Sequence, residues 1–222
     1  MATLGIAVIG QAPRDDIAWV FAGLLPAATR IVLRGCLDGL SDAEVNRLAP
    51  RDGDDTLYTR LRGKRDVKVS KSAVIERAPT ALAALRAAGA EALLFACTGD
   101  FPPMAGDAGI VFPSRILSAL AAGLLPRGRL GVLVPATEQI AKLSQKWERP
   151  SIEIVAEALL PSASPDETEE TAKRLASRRP DLIVMDCMSY APVAKTIVRR
   201  VSGVPTLLAA SATAGVVREL LT

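Results

Sequence analysis

The chain alternates between short apolar runs and longer amphipathic stretches of about 10 to 15 residues. The apolar runs predict strands over residues 4–9, 30–33, 92–96, 110–112, 130–134, 152–158, 182–185 and 206–208. The amphipathic stretches predict helices near 14–24, 42–48, 71–88, 114–123, 165–177, 191–200 and 211–221, and a turn with a helix over 135–146. Two alternating runs, 56–61 and 66–70, predict a hairpin. Strands that alternate with helices indicate an α/β fold with doubly wound, mostly parallel sheets.

The order of these elements is nearly the same in the two halves of the chain. Each half passes through strand, turn, helix, strand and helix before it reaches a strand that ends in a cysteine. This repetition predicts two similar α/β lobes with a cleft between them. Chain crossings near Pro113 and Pro205 assign residues 1–113 and 206–222 to the first lobe and residues 114–205 to the second.

The two cysteine strands carry the candidate chemistry. Cys97 follows the apolar run 93–96, Cys187 follows the run 183–186, and both lead into small residues. In open α/β sheets, ligands bind just beyond the carboxyl ends of the strands. The two thiols are therefore predicted to face each other across one cleft, where one removes a proton from a carbon and the other returns one to the opposite face. The alternative for either thiol is a packing role, because free cysteine is among the most buried residue types.

Composition narrows the chemistry further. The chain has 222 residues, a formal net charge of +3 and no histidine, which excludes a Ser-His-Asp triad, a Cys-His pair and a histidine-ligated metal. The three separated cysteines include no CxxC pair, so a metal site is not expected either. No glycine-rich phosphate loop occurs, so no nucleotide cofactor is expected. The charge is spread along the chain, which argues against nucleic-acid binding, and no apolar segment reaches the roughly 18 residues of a membrane span. Three cysteines without disulfide spacing fit a reducing compartment, so a cytoplasmic location is expected, and homo-oligomerisation is left open.

Several short motifs resemble those of the AroM protein family. They are IGQAPRDD at 9–16, GCLDGL at 35–40, PSRIL at 113–117, VPATEQ at 134–139, KW at 146–147 and DCMSY at 186–190. The motifs occur in the family's order and span nearly the whole chain. The resemblance implies the fold of the aspartate/glutamate racemase superfamily, in which two similar α/β lobes enclose a cleft with one cysteine from each lobe.

Together, the residues and the resemblance predict a cofactor-independent racemase or epimerase of a small carboxylate such as an amino acid. Cys97 and Cys187 are its predicted acid/base pair. The superfamily also includes decarboxylases and cis-trans isomerases that use one cysteine, and this chemistry is an alternative. A further alternative is a non-catalytic or regulatory protein that keeps the cleft as a binding site for a small anion.

Polar residues near the predicted strand ends are candidates for binding the substrate. Arg14 opens a helix, where a cation is unfavourable, and its guanidinium suits a carboxylate. The predicted substrate contacts are Gln11, Arg14, Thr98, Gly99, Ser114, Arg115, Thr137, Ser189 and Tyr190. Asp100 and Asp186 flank the thiols, as caps or as charges that raise a thiol pKa. Cys36 has no counterpart in the second half and is predicted to pack in the core.

Overall fold

The computed structural model describes residues 2–51, 53–63, 65–142 and 146–222. Its strands are β1 (Thr3–Val8), β2 (Arg30–Gly35), β3 (Thr56–Arg60), β4 (Asp66–Ser70), β5 (Ala92–Ala96), β6 (Ile110–Val111), β7 (Gly128–Val134), β8 (Ile152–Ala158), β9 (Leu182–Met185) and β10 (Thr206–Leu208). Its helices are α1 (Asp15–Ala22), α2 (Asp42–Asn46), α3 (Lys71–Ala87), α4 (Pro113–Leu124), α5 (Thr137–Ile140), α6 (Pro165–Ser177), α7 (Pro192–Ser202) and α8 (Ala209–Leu221).

The strands form two parallel four-stranded sheets and one antiparallel hairpin. The first sheet has the order β2-β1-β5-β6, the second has the order β10-β9-β7-β8, and β3 pairs with β4. The two orders correspond when one is reversed, because β7, β8 and β9 take the places of β1, β2 and β5. This topology confirms the predicted α/β class with two similar parallel sheets. Most predicted elements lie within a few residues of the observed ones, but the helix predicted up to 146 ends at Ile140, and residues 143–145 lie outside the described residues.

Alternation along the strands builds three apolar cores. In β5, Ala92, Leu94 and Ala96 belong to the central core, whereas Leu93 and Phe95 belong to the outer core of the first lobe. The same alternation divides β9 between the central core and the outer core of the second lobe. The central core also contains apolar residues of α1, α4 and α8, so these helices lie between the two sheets. Sheets buried on both faces read as continuous apolar runs, as these strands do.

The last strand of the chain differs from the expectation for residues 206–222. β10 pairs in parallel with β9, so this strand is an edge of the second sheet and not part of the first lobe. The internal repeat explains the difference, because β10 occupies the place that β6 has in the first sheet. Helix α8, which follows β10, packs against α1, α4 and β5. Within the described part of the chain, none of the helices has the length and apolar character that a membrane span requires.

Candidate active site

The two cysteine strands end at one cavity. Cys97 directly follows β5, and Cys187 lies two residues beyond the end of β9. A cavity of about 260 Å³ lies beyond the carboxyl ends of these strands, and both thiols line it. Each cysteine residue is 8% exposed, so each sulfur is nearly buried but has access to the cavity. This placement agrees with the prediction that the two thiols meet at one cleft.

The loops after the two cysteines repeat one local geometry. The backbone N–H of Gly99 donates to the Sγ of Cys97 at 3.3 Å, and the backbone N–H of Ser189 donates to the Sγ of Cys187 at 3.4 Å. In both loops the donor lies two residues after the cysteine. A hydrogen bond to sulfur stabilises the thiolate more than the thiol. Both loops are therefore shaped to support a charged sulfur.

Burial opposes that charge at both sulfurs. Burial raises the pKa of Cys97 to about 12, although the Gly99 N–H and the charge of Lys146 act against it. Burial also raises the pKa of Cys187, to about 11, and the Ser189 hydrogen bonds and the charge of Arg14 act against it. Cys187 thus has the lower pKa of the two, and both thiols are protonated at neutral pH.

Arg14 reaches the cavity from the turn between β1 and α1. Its residue is 3% exposed, and its guanidinium donates to both carboxylate oxygens of Asp16, at 2.8 and 2.7 Å. Nη2 of Arg14 also donates to the Oγ of Ser189 at 2.9 Å, which links the first lobe to the second cysteine loop. Burial alone would raise the pKa of Asp16, but the hydrogen bonds and charge of Arg14 lower it. Arg14 is therefore a buried, paired cation rather than a solvated residue at a helix start.

The turn that carries Arg14 is fixed by its neighbours in the first lobe. A Cβ on Gly10 would lie 2.2 Å from the backbone oxygen of Arg60, so a larger residue would push the turn away from the hairpin. The side-chain amide of Gln11 donates to the backbone oxygens of Leu37 and Leu40 and accepts from the N–H of Arg62. The polar groups of Gln11 thus hold three segments together.

Lys146 occupies the corresponding position on the other side of the cavity. Its side chain is 12% exposed, and its Nζ donates to both carboxylate oxygens of Asp186, at 2.6 and 2.8 Å, and to the backbone oxygen of Thr98 at 2.6 Å. The indole N–H of Trp147 donates to Asp186 at 3.1 Å, and the hydroxyl of Thr98 donates to the backbone oxygen of Asp186 at 3.0 Å. Lys146 and Asp186 thereby connect the two cysteine loops.

Charged residues also bridge the mouth of the cavity. Lys142, which follows α5, pairs with Asp55 just before β3, and Lys68 of β4 pairs with Glu138 of α5 at 2.6 Å. All four side chains are largely solvent-accessible. Tyr58 lines the cavity from β3, and burial, together with Asp66, raises the pKa of its phenol, so the phenol stays a hydrogen-bond donor at neutral pH. The hairpin of the first lobe therefore meets α5 of the second lobe across the entrance.

The structure brings six of the predicted site residues into the lining of this cavity: Arg14, Cys97, Thr98, Gly99, Cys187 and Ser189. Asp100 and Asp186, named as neighbours of the thiols, also line it. Lys146 was part of a family motif but had no predicted role. The only sequence signal for a role of Lys146 was its place in the Lys146-Trp147 motif. The sequence does not reveal that its partner Asp186 lies beside it at the cavity.

Five predicted substrate contacts lie outside the cavity lining. Gln11 binds backbone groups as described above, and the phenol of Tyr190 donates to the backbone oxygen of Leu159 at 2.6 Å. The guanidinium of Arg115 lies over the ring of Phe112 at 4.3 Å, and its neighbour Ser114 is buried in the first turn of α4. Thr137 is the first residue of α5. A contact of these residues with a ligand stays a prediction.

The third cysteine packs in the outer core of the first lobe. Cys36 is 6% exposed and belongs to the same cluster as Leu37 and Val45, which agrees with the predicted packing role. Burial raises its pKa to about 12. Among the described residues, no group of three or more Cys, Asp or Glu side chains is placed to hold a metal ion.

Comparisons with known proteins agree with this architecture. The model of the AroM protein family matches residues 4–221. No curated protein matches the sequence. Unliganded arylmalonate decarboxylase is similar in structure, with a TM-score of 0.62 and 15% identity over 100% of this chain and 92% of that chain.

Two further solved structures are similar. Maleate isomerase Iso from Pseudomonas putida S16 has a TM-score of 0.65 and 16% identity, over 99% of this chain and 92% of that chain. Glutamate racemase from Francisella tularensis subsp. tularensis SCHU S4, in complex with D-glutamate, has a TM-score of 0.60 and 14% identity, over 99% of this chain and 81% of that chain. The fold is thus the racemase-like one that the motifs implied.

Proposed function

The chain belongs to the AroM protein family, and from that premise we propose that it is a cofactor-independent racemase or epimerase of a small carboxylate, such as an amino acid or a related compound. The observation that carries the proposal is the pair of thiols. Cys97 and Cys187 come from equivalent positions of the two lobes and line one cavity. Inversion at a carbon next to a carboxylate needs a base on one face of that carbon and an acid on the other.

The proposed step uses both sulfurs. One sulfur, as thiolate, takes the proton from the carbon next to the carboxylate, and the electron pair of the broken C–H bond moves into the carboxylate as an enediolate. The other sulfur, as thiol, gives its proton to the opposite face of the same carbon. The first sulfur ends as thiol and the second as thiolate, so the reverse reaction uses the same groups in exchanged roles. Cys187, as the more acidic thiol, is the proposed base for one enantiomer, and Cys97 is the base for the other.

The substrate carboxylate is proposed to bind beside Cys187. The guanidinium of Arg14 and the hydroxyl of Ser189 meet there, and both line the cavity. Arginine binds carboxylates through directed hydrogen bonds, which are strong when the site is buried. The similar structures support this class of ligand, because a glutamate racemase with D-glutamate, a maleate isomerase and an arylmalonate decarboxylase all concern small carboxylates.

The three free cysteines also bear on where the protein works. All three are buried and unpaired with one another, and they stay reduced in a cytosolic environment. A cytoplasmic location is therefore part of the proposal.

Exchange of substrate hydrogen with heavy water tests the proposed function. The protein is incubated in D₂O with a panel of small carboxylates, beginning with single enantiomers of amino acids, and deuterium incorporation and optical rotation are followed. We expect incorporation at the carbon next to the carboxylate together with loss of optical purity. Cys187→Ser and Cys97→Ser should each abolish racemisation.

The alternatives give different results in the same experiment. A decarboxylase or cis-trans isomerase that uses one cysteine would lose activity with one Cys→Ser substitution and keep it with the other. A binding protein would be stabilised against heat by its ligand, would incorporate no deuterium, and would keep that stabilisation in both variants. Absence of exchange across the panel, combined with thermal stabilisation by one of its members, would replace the proposal with the binding function.

A further inference from the structure

Two cations, the buried Arg14 and the largely buried Lys146, cross the cleft in opposite directions. Arg14 belongs to the turn after β1 in the first sheet, and it donates to Ser189 in the loop after β9 of the second sheet. Lys146 follows α5, on the side of the second sheet, and it donates to Thr98 in the loop after β5 of the first sheet. Both cations line the cavity that holds the thiols. Arg14 thus ends beside the cysteine loop of the other lobe, and Lys146, which is also paired with Asp186 of its own lobe, reaches the cysteine loop of the first lobe.

Each contact lies next to the group that donates to sulfur. Ser189 accepts from Arg14 at 2.9 Å through its hydroxyl and donates to the Cys187 sulfur at 3.4 Å through its N–H. Thr98 accepts from Lys146 at 2.6 Å, and the next residue, Gly99, donates to the Cys97 sulfur at 3.3 Å. The two halves of the site therefore share one plan, in which a cation fixes the short loop whose N–H supports the sulfur.

We propose that each thiol receives its stabilising positive charge from the opposite lobe, with Arg14 serving Cys187 and Lys146 serving Cys97. The proposal rests on the proposed function, since it explains how both thiols of an acid/base pair take up negative charge in turn. Arg14 and Lys146 are then positioning residues for the thiolates. Under this arrangement both thiols depend on a closed cleft, because moving the lobes apart would withdraw Arg14 from the Cys187 loop and Lys146 from the Cys97 loop at once.

The charges around each sulfur agree with this assignment. Around Cys187, Arg14 lowers the pKa, while Asp186 on its own strand end raises it. Around Cys97, Lys146 lowers the pKa, while Cys187 and Asp186 raise it. In both cases burial is the larger effect and acts in the upward direction. The cations therefore reduce the rise in thiol pKa that burial causes, but they do not cancel it.

Both cations are held in place by a carboxylate. Arg14 makes two hydrogen bonds to Asp16, and Lys146 makes two to Asp186. Buried charges that are paired and hydrogen-bonded keep a defined geometry, because the cost of leaving one unpaired is large. Each positive charge is thus fixed beside a cysteine loop by its carboxylate and by its contact with Ser189 or Thr98.

Alkylation of the thiols tests the assignment without a substrate. The full-length protein is treated with iodoacetamide at several pH values between about 7 and 10, and the rates at Cys97 and Cys187 are followed separately by mass spectrometry of their peptides. The rate reports the thiolate fraction of each sulfur. Arg14→Gln and Lys146→Met each remove one cation. Lys173→Met, on the exposed surface of α6, removes the same charge away from the cavity.

Lys146→Met also leaves the Asp186 carboxylate unpaired, and that carboxylate raises the pKa of both thiols. The lysine is therefore also replaced in an Asp186→Asn background, and the rates are compared with those of Asp186→Asn alone. Where Lys146→Met gives little folded protein, Lys146→Gln provides the same loss of charge. In every sample the thiol that the removed cation does not serve, Cys97 for Arg14→Gln and Cys187 for Lys146→Met, is the internal reference.

We expect a crossed result. Arg14→Gln should slow alkylation of Cys187 about tenfold at a fixed pH, which corresponds to a pKa increase of about one unit, and should change Cys97 less than about twofold. Lys146→Met in the Asp186→Asn background should slow Cys97 by a similar factor and leave Cys187 nearly unchanged. Lys173→Met should change neither rate.

Equal slowing of both thiols, no slowing, or slowing of the thiol in the cation's own lobe would overturn the assignment. These outcomes are separable from failure of the proposed function. A protein that shows the crossed result but no deuterium exchange would keep the reciprocal cations and lose the racemase proposal. A protein that shows deuterium exchange without the crossed result would keep the racemase proposal and lose the reciprocal cations.

Discussion

The two cysteine loops have the same backbone plan and different charges. In both loops a core strand ends, a cysteine follows, and the N–H two residues later donates to its sulfur. The residue before the cysteine is Ala96 in the first loop and Asp186 in the second. The residue that caps the sulfur is Gly99 in the first loop and Ser189 in the second, and only serine offers a hydroxyl to Arg14.

The comparison separates what the fold supplies from what the side chains supply. The repeated sheets deliver both thiols to the cavity and give each a backbone donor. Burial raises the pKa of both thiols, to about 11 for Cys187 and to about 12 for Cys97, and the side chains give each thiol a different set of charges. A site assembled from two similar lobes can thus assign its two directions of proton transfer to groups of different acidity.

Asp186 is the largest departure from the repeat, and its removal should have the largest effect. Asp186→Ala leaves the largely buried ammonium of Lys146 without its carboxylate partner, with only the backbone oxygen of Thr98 as acceptor, and leaves the indole N–H of Trp147 without an acceptor. We expect the free energy of unfolding to fall by about 3–5 kcal/mol, as measured by urea denaturation. Asp186→Asn keeps an acceptor for Trp147 and should cost less, about 1–3 kcal/mol.

A surface ion pair provides the control for this comparison. Glu153→Ala removes the partner of Arg129, and both side chains are partly or largely exposed, so the loss should be below about 1 kcal/mol. If Asp186→Ala lowers the free energy of unfolding by no more than Glu153→Ala does, the Asp186 carboxylate contributes no more to stability than a surface ion pair.

The pH dependence of exchange should show the acidity of the base. A thiolate is needed for proton removal, and the thiolate fraction rises tenfold per pH unit below the pKa. With Cys187 as base and a pKa of about 11, the exchange rate should rise about a hundredfold from about pH 7 to about pH 9. A profile that levels off near neutral pH would show that a substrate or a more acidic group determines the rate.

Alkylation of the unmodified protein compares the two thiols directly. Because Cys187 has the lower pKa, its rate with iodoacetamide at about pH 9 should exceed that of Cys97. Both residues are 8% exposed. Peptide mass spectrometry measures the two rates in one sample. A faster Cys97 would reverse the assignment of the more acidic thiol.

The bridges at the cavity mouth should have the smallest effect. Glu138→Gln removes the partner of Lys68 across the entrance, and exposed ion pairs of this kind contribute little. We expect alkylation of both thiols to accelerate no more than about twofold, and the difference from the unmodified protein to vanish at about 1 M salt. Thermal unfolding in the same buffers controls for a loss of stability. A much larger acceleration would identify this contact as a latch on the cleft.

The sequence predicted the elements that have a local signal well and the contacts between distant segments poorly. Apolar runs over 92–96 and 182–185 coincide with β5 and β9 because strands buried on both faces need continuous apolar residues. The helix predicted near 42–48 coincides with the start of α2, where Ser41 and Glu44 form a capping box that depends only on local spacing.

Contacts between segments that are distant along the chain could not be predicted from the sequence. The pairing of β10 with β9, and the contacts of Lys146 with Thr98 and Asp186, join segments that no local pattern connects. The same limit applies to Tyr190, which looked like a cavity residue because it follows Ser189 and instead turns its phenol to Leu159. Side-chain direction beyond a strand end depends on the neighbouring segment rather than on spacing.

The position of α4 and α8 between the sheets bears on how such a chain originated. Each helix follows the edge strand of one sheet, and each also packs against the other sheet or its helices. A protein made of one half alone would end in a helix with one uncovered apolar side, and a second copy would be the nearest surface able to cover it. The architecture is therefore what two joined copies of one half would form, with the cleft at their boundary and one sulfur from each copy.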